Sequence, residues 1–202
     1  MRGGAALAAG CACACALLLA AAPPGLAAGA SAGAATLDEL LQLLAARRHS
    51  HTSFSEVHQL AMLDRPLESS GELLYEAPDH LVKRTLRPKS ETLLLEHGVL
   101  TAHRGRRAWA LPLSEYPQVV PFVESIRATL AGDRAALERF FSVELSGSLE
   151  HWSLSLQPTD ATVARNVRQI RFEGERDAIR AVEITETDGD ASVLTVGPQI
   201  DP

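Results

Sequence analysis

The chain has no cysteine beyond residue 15. Its three, Cys11, Cys13 and Cys15, all fall in the first apolar run. Once that run is removed no thiol remains, which excludes a disulfide, a thiolate metal site and a cysteine nucleophile. A surplus of positive charge is also lacking. Nineteen Lys and Arg stand against 25 Asp and Glu, a net charge of −6, and loss of the leader with Arg2 makes it −7. That balance argues against nucleic acid as a partner and against simple electrostatic adhesion to anionic lipid.

Catalytic signatures are missing as well. There is no Gly-x-Ser-x-Gly elbow, no His-Glu-x-x-His helix and no phosphate-binding glycine loop. Glu173/Glu175 and Glu183/Glu186 lie near Arg171, Arg176 and Arg180, so they read as solvated ion-pair faces rather than paired catalytic carboxylates. Asp188 and Asp190 flank a turn glycine and offer too few oxygens for calcium. His49, His51 and His58 straddle a helix end and a strand with no carboxylate at useful spacing, and read as part of a polar link. We therefore expect no enzyme activity, no metal and no cofactor. Internal repeats are absent, and so are low-complexity segments after the leader.

What is present begins with an export signal. Met1-Arg2 is followed by an apolar Ala/Leu run over Ala5–Ala22, a Pro23-Pro24-Gly25 break and a tail of small residues. This is the layout of a secretory leader over 1–32, with cleavage expected between Ala30 and Ala35. Ala8-Ala9-Gly10-Cys11 looks locally like a lipidation site, but the apolar run before it is too short. One domain is then expected over 36–198.

That domain opens with an amphipathic helix, Leu37–Arg48. Thr36 is its N-cap, Asp38 and Glu39 suit the first turn, and Leu37, Leu40, Leu41 and Leu44 form its apolar face. His49–Ser53 reads as a link, and Phe54–Leu63 alternates as a strand. Gly71–Gly98 then reads as a three-stranded meander: Gly71–Glu76, Leu81–Leu86 and Thr92–Glu96, turning at Ala77-Pro78-Asp79-His80 and at Arg87-Pro88-Lys89-Ser90. Val99–His103 and Arg107–Leu111 bring the count to six strands with tight connections, hence an antiparallel sheet.

The period then changes. Val119, Phe122, Val123, Ile126 and Leu130 recur at helical spacing over Glu115–Leu130, and Asp133 caps a second short helix, Arg134–Phe140. Strands resume at Phe141–Leu145, Trp152–Leu156, Val167–Phe172, Ile179–Thr185 and Ser192–Val196. The pattern is α+β, mostly β, with about eleven strands, an N-terminal helix and a helical insertion over about 115–140 after the sixth strand. The insertion reads either as a cap completing the core or as a lid over an apolar cavity.

This order, behind a leader, resembles the outer-membrane lipoprotein carrier family, the LolA type, across about Leu37–Val196. The residues that carry the resemblance are Arg48–Phe54 with Glu56 and Gln59, the strand Gly71–Pro78, the strand Glu91–Gly98, and Pro121-Phe122-Val123 at the place of the family's lid helix. The resemblance implies an incomplete, half-open antiparallel β-barrel whose apolar cavity takes acyl chains, working as a monomer in the periplasm of a Gram-negative bacterium. It implies shuttling of an acylated protein or lipid from an inner-membrane donor to an outer-membrane acceptor, without covalent chemistry. Two departures stand out. The arginine the family carries before the strand proline falls on Ala77, and the closing Phe-x-Phe…Pro-x-Gly segment is absent. The chain is therefore expected to be a divergent member, with a lipoprotein or another acyl lipid as its cargo and with the family's release step in question.

On this reading Leu73, Tyr75, Leu81, Leu93, Leu95, Trp109, Trp152 and Leu154 line the cavity, with Val119, Phe122, Val123 and Ile126 on the lid and Lys83 and Arg84 as a polar rim. A one-residue register slip would reverse any strand's contribution. The alternative is a periplasmic sensor or regulatory module using the same architecture to bind a protein partner.

Overall fold

The computed structural model describes residues 35–116 and 119–200. The expected leader, 1–32, and Pro117 at the lid boundary lie outside the described residues.

The first helix, α1 (Leu37–Ala45), is fixed at its start by a complete capping box. Thr36 Oγ1 accepts from the Glu39 backbone N–H at 3.3 Å, and the Glu39 carboxylate accepts from the Thr36 N–H at 2.9 Å. The bonds this carboxylate accepts from the Thr36 N–H and from the Thr36 hydroxyl hold the Glu39 carboxyl below its ordinary pKa. Leu40, Leu41 and Leu44 are buried, as the spacing predicts. The helix ends three residues earlier than expected. Arg47 leaves the helical path: its Nη2 pairs with Asp177 Oδ2 at 2.6 Å and its Nε donates to the Asp177 carbonyl at 3.0 Å.

Eleven strands follow: β1 (His49–Gln59), β2 (Leu67–Glu76), β3 (His80–Arg87), β4 (Glu91–Glu96), β5 (Val99–Arg104), β6 (Arg107–Pro112), β7 (Phe141–Ser148), β8 (His151–Pro158), β9 (Val167–Glu175), β10 (Ala178–Glu186) and β11 (Ala191–Gln199). They form one antiparallel sheet in the order β6-β5-β4-β3-β2-β1-β11-β10-β9-β8-β7. The sheet does not close, since β6 and β7 end it on opposite sides. The crossover is the β1–β11 pairing, which joins the two ends of the domain at mid-sheet.

The link read at His49–Ser53 is part of β1. Its polar sequence gives a weak strand signal, but each of these residues has a ladder partner on β2, from His49 opposite Glu76 to Ser53 opposite Glu72. Backbone pairing on a flanking strand overrides side-chain propensity there. The alternation of β1 also puts His49 and His51 on one face and His58 on the other.

Between β6 and β7 runs the helical insertion: a 3-10 turn (Leu113–Glu115), α2 (Val120–Ala131) and α3 (Arg134–Glu138). The long helix starts later than Glu115. Pro121 sits at its second position, where the absent N–H would have no helical partner. It ends at Gly132, whose φ of 69° is left-handed. A Cβ at Gly132 would overlap the Leu41 carbonyl of α1, so this corner packs backbone against backbone. Asp133 caps α3 by accepting from the Ala136 N–H at 3.0 Å, as expected. Among the described residues no helix is long and apolar enough to cross a membrane.

The helices share one face of the sheet. The main core joins Leu40, Leu41, Leu44, Ala128 and Leu137 from the helices to Phe141, Trp152, Leu154, Leu156, Ile170 and Phe172 from β7 to β9. The opposite face carries Ser53, Glu72, Arg84, Thr92, Glu173 and Glu183, with an apolar row of Leu74, Val82 and Leu94 among them. Trp152 lies over Gly174 and donates from Nε1 to the Arg176 carbonyl at 2.9 Å. A Cβ at Gly174 would overlap the indole and stand 2.5 Å from the Ala178 carbonyl. The expected result of Gly174→Ala is a stability loss of about 1–3 kcal/mol, with a shift in Trp152 emission, read in a urea titration. An unchanged midpoint would show that the ring has room to move.

Candidate ligand-binding face

Register fixes which side chains share the helix-bearing face. Directly opposed residues in antiparallel strands point the same way, so the pairings across β1 to β6 give three successive rows. The first is Ser50, Tyr75, Leu81, Leu95, Leu100, Leu111. The second is Thr52, Leu73, Lys83, Leu93, Ala102, Trp109. The third is Phe54, Gly71, Thr85 and Glu91, continued by Arg104, which pairs with the Glu91 carboxylate, and Arg107.

The first row lies next to α2. Leu95, Leu113 and Val123 form a second buried cluster, with Leu81, Leu100, Val119, Val120 and Phe122 packed around it. Phe122 also packs against the main core, so one ring bridges both clusters. The second row is more open. Leu73 and Leu93 are half-buried, and Trp109 is 40 % exposed. Apolar side chains therefore continue out from under the helix across β2, β4 and β6.

At the inner end of that shelf stands an ion pair. Lys83 Nζ lies 2.7 Å from Glu56 Oε2, with side-chain exposures of 26 % and 20 %. Ser69 Oγ donates to the same carboxylate oxygen at 3.0 Å, and the Lys83 ammonium sits 5.0 Å from the centroid of the Phe54 ring. The pair reaches over β2 from β3 to β1, and Gly71 in the third row carries no side chain to obstruct it.

The sheet carries two cavities, one beside this face and one at its β7 to β10 end. One of about 270 Å³ opens between α2 and the strand turns; Pro78, Asp79, Gly98, Leu113, Val123 and Arg127 are among its walls. Arg127 is held there by Glu124 at 2.7 Å and Asp133 at 3.6 Å, and these bonds raise its pKa above the ordinary arginine value. Tyr75 is 4 % exposed, and its hydroxyl has no hydrogen-bond partner among the described residues. Burial raises its pKa, opposed by Arg48 and Arg127 and assisted by Asp79. The second cavity, about 360 Å³, lies over Gly147, Gly174 and Trp152 near the β7 edge.

The residues expected to line a cavity divide into groups. Leu73, Tyr75, Leu81, Leu93, Leu95 and Trp109 share the helix-bearing face of β2 to β6, and Val119, Phe122 and Val123 approach it from the lid. Trp152 and Leu154 lie on the same face but are 3 % and 0 % exposed inside the main core, where Ile126 also packs. Lys83 stands within the apolar shelf rather than at its rim. Arg84 lies on the opposite face, bonded to Glu72 at 3.0 Å. Glu56, Ser69 and Phe54 gather around Lys83 and were not among the sequence candidates. Continuing the β1 alternation would have found Phe54 and Glu56, but nothing local to Ser69 marks it.

The fold is thus an unclosed antiparallel sheet with the helices and an apolar shelf on one face. Residues 28–198 match the family model described as outer membrane lipoprotein carrier protein LolA-like, and the chain belongs to that family. No curated protein is significantly similar in sequence. Among solved structures, a LolA superfamily protein of Nitrosomonas europaea is 11 % identical, with a TM-score of 0.42, over 83 % of this chain and 95 % of that one. A putative outer membrane lipoprotein-sorting protein domain of Vibrio parahaemolyticus is 10 % identical, with a TM-score of 0.42, over 82 % and 93 %. A chain of the Pseudomonas aeruginosa MucA/MucB complex is 13 % identical, with a TM-score of 0.48, over 82 % of this chain and 57 % of that one. Likenesses this distant carry no functional argument.

Proposed function

We propose that this protein is a periplasmic carrier, exported by its leader, that holds the acyl chains of a lipoprotein or other lipid on the helix-bearing face and passes them towards the outer membrane. An inner-membrane donor loads it and an outer-membrane acceptor unloads it. The observation that carries the reading is the apolar shelf of Leu73, Leu93 and Trp109, left partly open beside α2 on the face where the helices sit. Each methylene sheltered there contributes roughly 0.8 kcal/mol, so a single acyl chain outweighs the modest burial the face otherwise lacks. Membership of the LolA-like family supports the same reading. Release needs only a competing site and movement of α2, whose first turn rests on the smaller cluster.

The test is native mass spectrometry of the mature protein from its own periplasm, with lipid extraction of the same sample. Expected is a bound acyl species, whose mass separates lipoprotein from free lipid. A bare mass, with no uptake of added acyl chains or lipopeptide, would overturn the carrier reading and favour a module that binds a protein partner.

A further inference from the structure

Tyr75 is the one buried side chain in the described structure with a polar atom left without a partner. A buried hydroxyl in this state costs roughly 1–3 kcal/mol relative to a satisfied one, so its presence calls for an explanation. Its place narrows the choices. Tyr75 is on the helix-bearing face, in the row with Leu81 and Leu95. It belongs to neither packed cluster. Leu95, two strands along the same row, is a wall of the 270 Å³ cavity between α2 and the strand turns, and so are Asp79 and Arg127, two of the three charged groups that act on the Tyr75 hydroxyl, Arg48 being the third.

The charges around that cavity select the chemistry of what could meet the hydroxyl. Arg127 is already held by Glu124 and Asp133. Asp79 adds a further carboxylate, fixed by the His97 N–H at 3.1 Å. The cavity walls set Asp79 and Glu124 against Arg127, and Arg48 adds a second cation at the hydroxyl, so the charges there offset one another and single out no anionic or cationic head. A phenol in this setting can donate to a neutral oxygen.

We propose that the Tyr75 hydroxyl donates a hydrogen bond to the ester or amide carbonyl at the head of a bound acyl chain, the chain entering through the cavity between α2 and the turns and lying along the shelf. This rests on the acyl-carrier reading and names the polar contact within it. The carbonyl fills the missing acceptor, and the hydrocarbon beyond it meets Leu81 and Leu95. A group that recognises the linkage, rather than the rest of the head, suits a carrier for diverse cargo sharing one acyl junction.

The probes are a synthetic diacylglyceryl lipopeptide with ester-linked chains and its dialkyl counterpart, in which ether links replace the esters and remove the carbonyls. Binding of each to wild type and to Tyr75→Phe gives a two-by-two comparison. Expected is a five- to tenfold loss for the ester probe on Tyr75→Phe, the size of one neutral hydrogen bond, and no change for the ether probe. The thermal midpoint of the apo variant should hold or rise, because an unpartnered hydroxyl has been removed. Equal losses for both probes, no loss for either, or a midpoint lowered by several degrees would overturn the assignment while leaving the carrier reading intact. Failure of wild type to bind either probe would remove both.

Discussion

Leu154→Ala is expected to lower unfolding stability by about 2–5 kcal/mol, the range for emptying a packed core site of a leucine side chain. Leu154 is fully buried, between Leu145 on β7 and Phe172 on β9 and within the cluster that takes in α1, α2 and α3. The matched control is Leu93→Ala. Leu93 has the same strand geometry on the same face but is half-buried, at the open part of the shelf. It should cost less than half as much stability and weaken acyl uptake instead. Urea denaturation and lipopeptide binding, measured on both variants, separate the two roles. If Leu154→Ala were nearly neutral in stability and reduced uptake, the β7–β9 half of the face would be cavity and not core.

Phe122→Asp has the largest expected effect on binding. The ring spans both clusters and is only partly buried, so it holds α2 down without being sealed inside. Removing it gives up roughly 1.5–3 kcal/mol of apolar burial. A carboxylate in its place resists return to apolar surroundings. The expected outcome is a helix that stands off the sheet and at least a tenfold loss of lipopeptide affinity, with the sheet still folded. Hydrogen exchange should quicken over residues 120–131 while β8 to β10 keep their protection. Loss of protection everywhere in one step would make Phe122 ordinary core.

These two predictions sit where sequence reasoning was strongest and weakest. Alternation in Leu73-Leu74-Tyr75 and in Trp152–Leu156 shows which residues share a face, and the register agrees on β2 to β6 and on β8. Alternation does not show what covers that face. Trp152 and Leu154 could be told from Leu93 and Trp109 only after α1 and α2 were placed, and their placement depends on contacts far apart in sequence. The Glu56–Lys83 pair was illegible for a related reason. The two residues stand on non-adjacent strands and meet only because β2 lies between them. Lys83 and Arg84 looked equivalent in sequence, yet a period of two sends them to opposite faces. The start of β1 was hidden because His, Ser and Thr alternate no apolar pattern. The late start of α2 was signalled by Pro117 in the sequence: the residue before a proline is driven out of the helical region, and Tyr116 takes φ −126° and ψ 65°.

An unclosed sheet leaves backbone groups on β6 and β7 free to template another molecule, the geometry by which β proteins polymerise. The chain blunts each margin differently. Arg106 and Arg107 enter β6 and Pro112 leaves it, so charge repels at one end and a missing N–H breaks the ladder at the other. On β7, Glu144 faces away from the helices, and Gly147 takes a φ of 93°, twisting the strand's end out of line. Resistance to edge-to-edge association thus depends on a handful of marginal residues that lie outside the packed clusters.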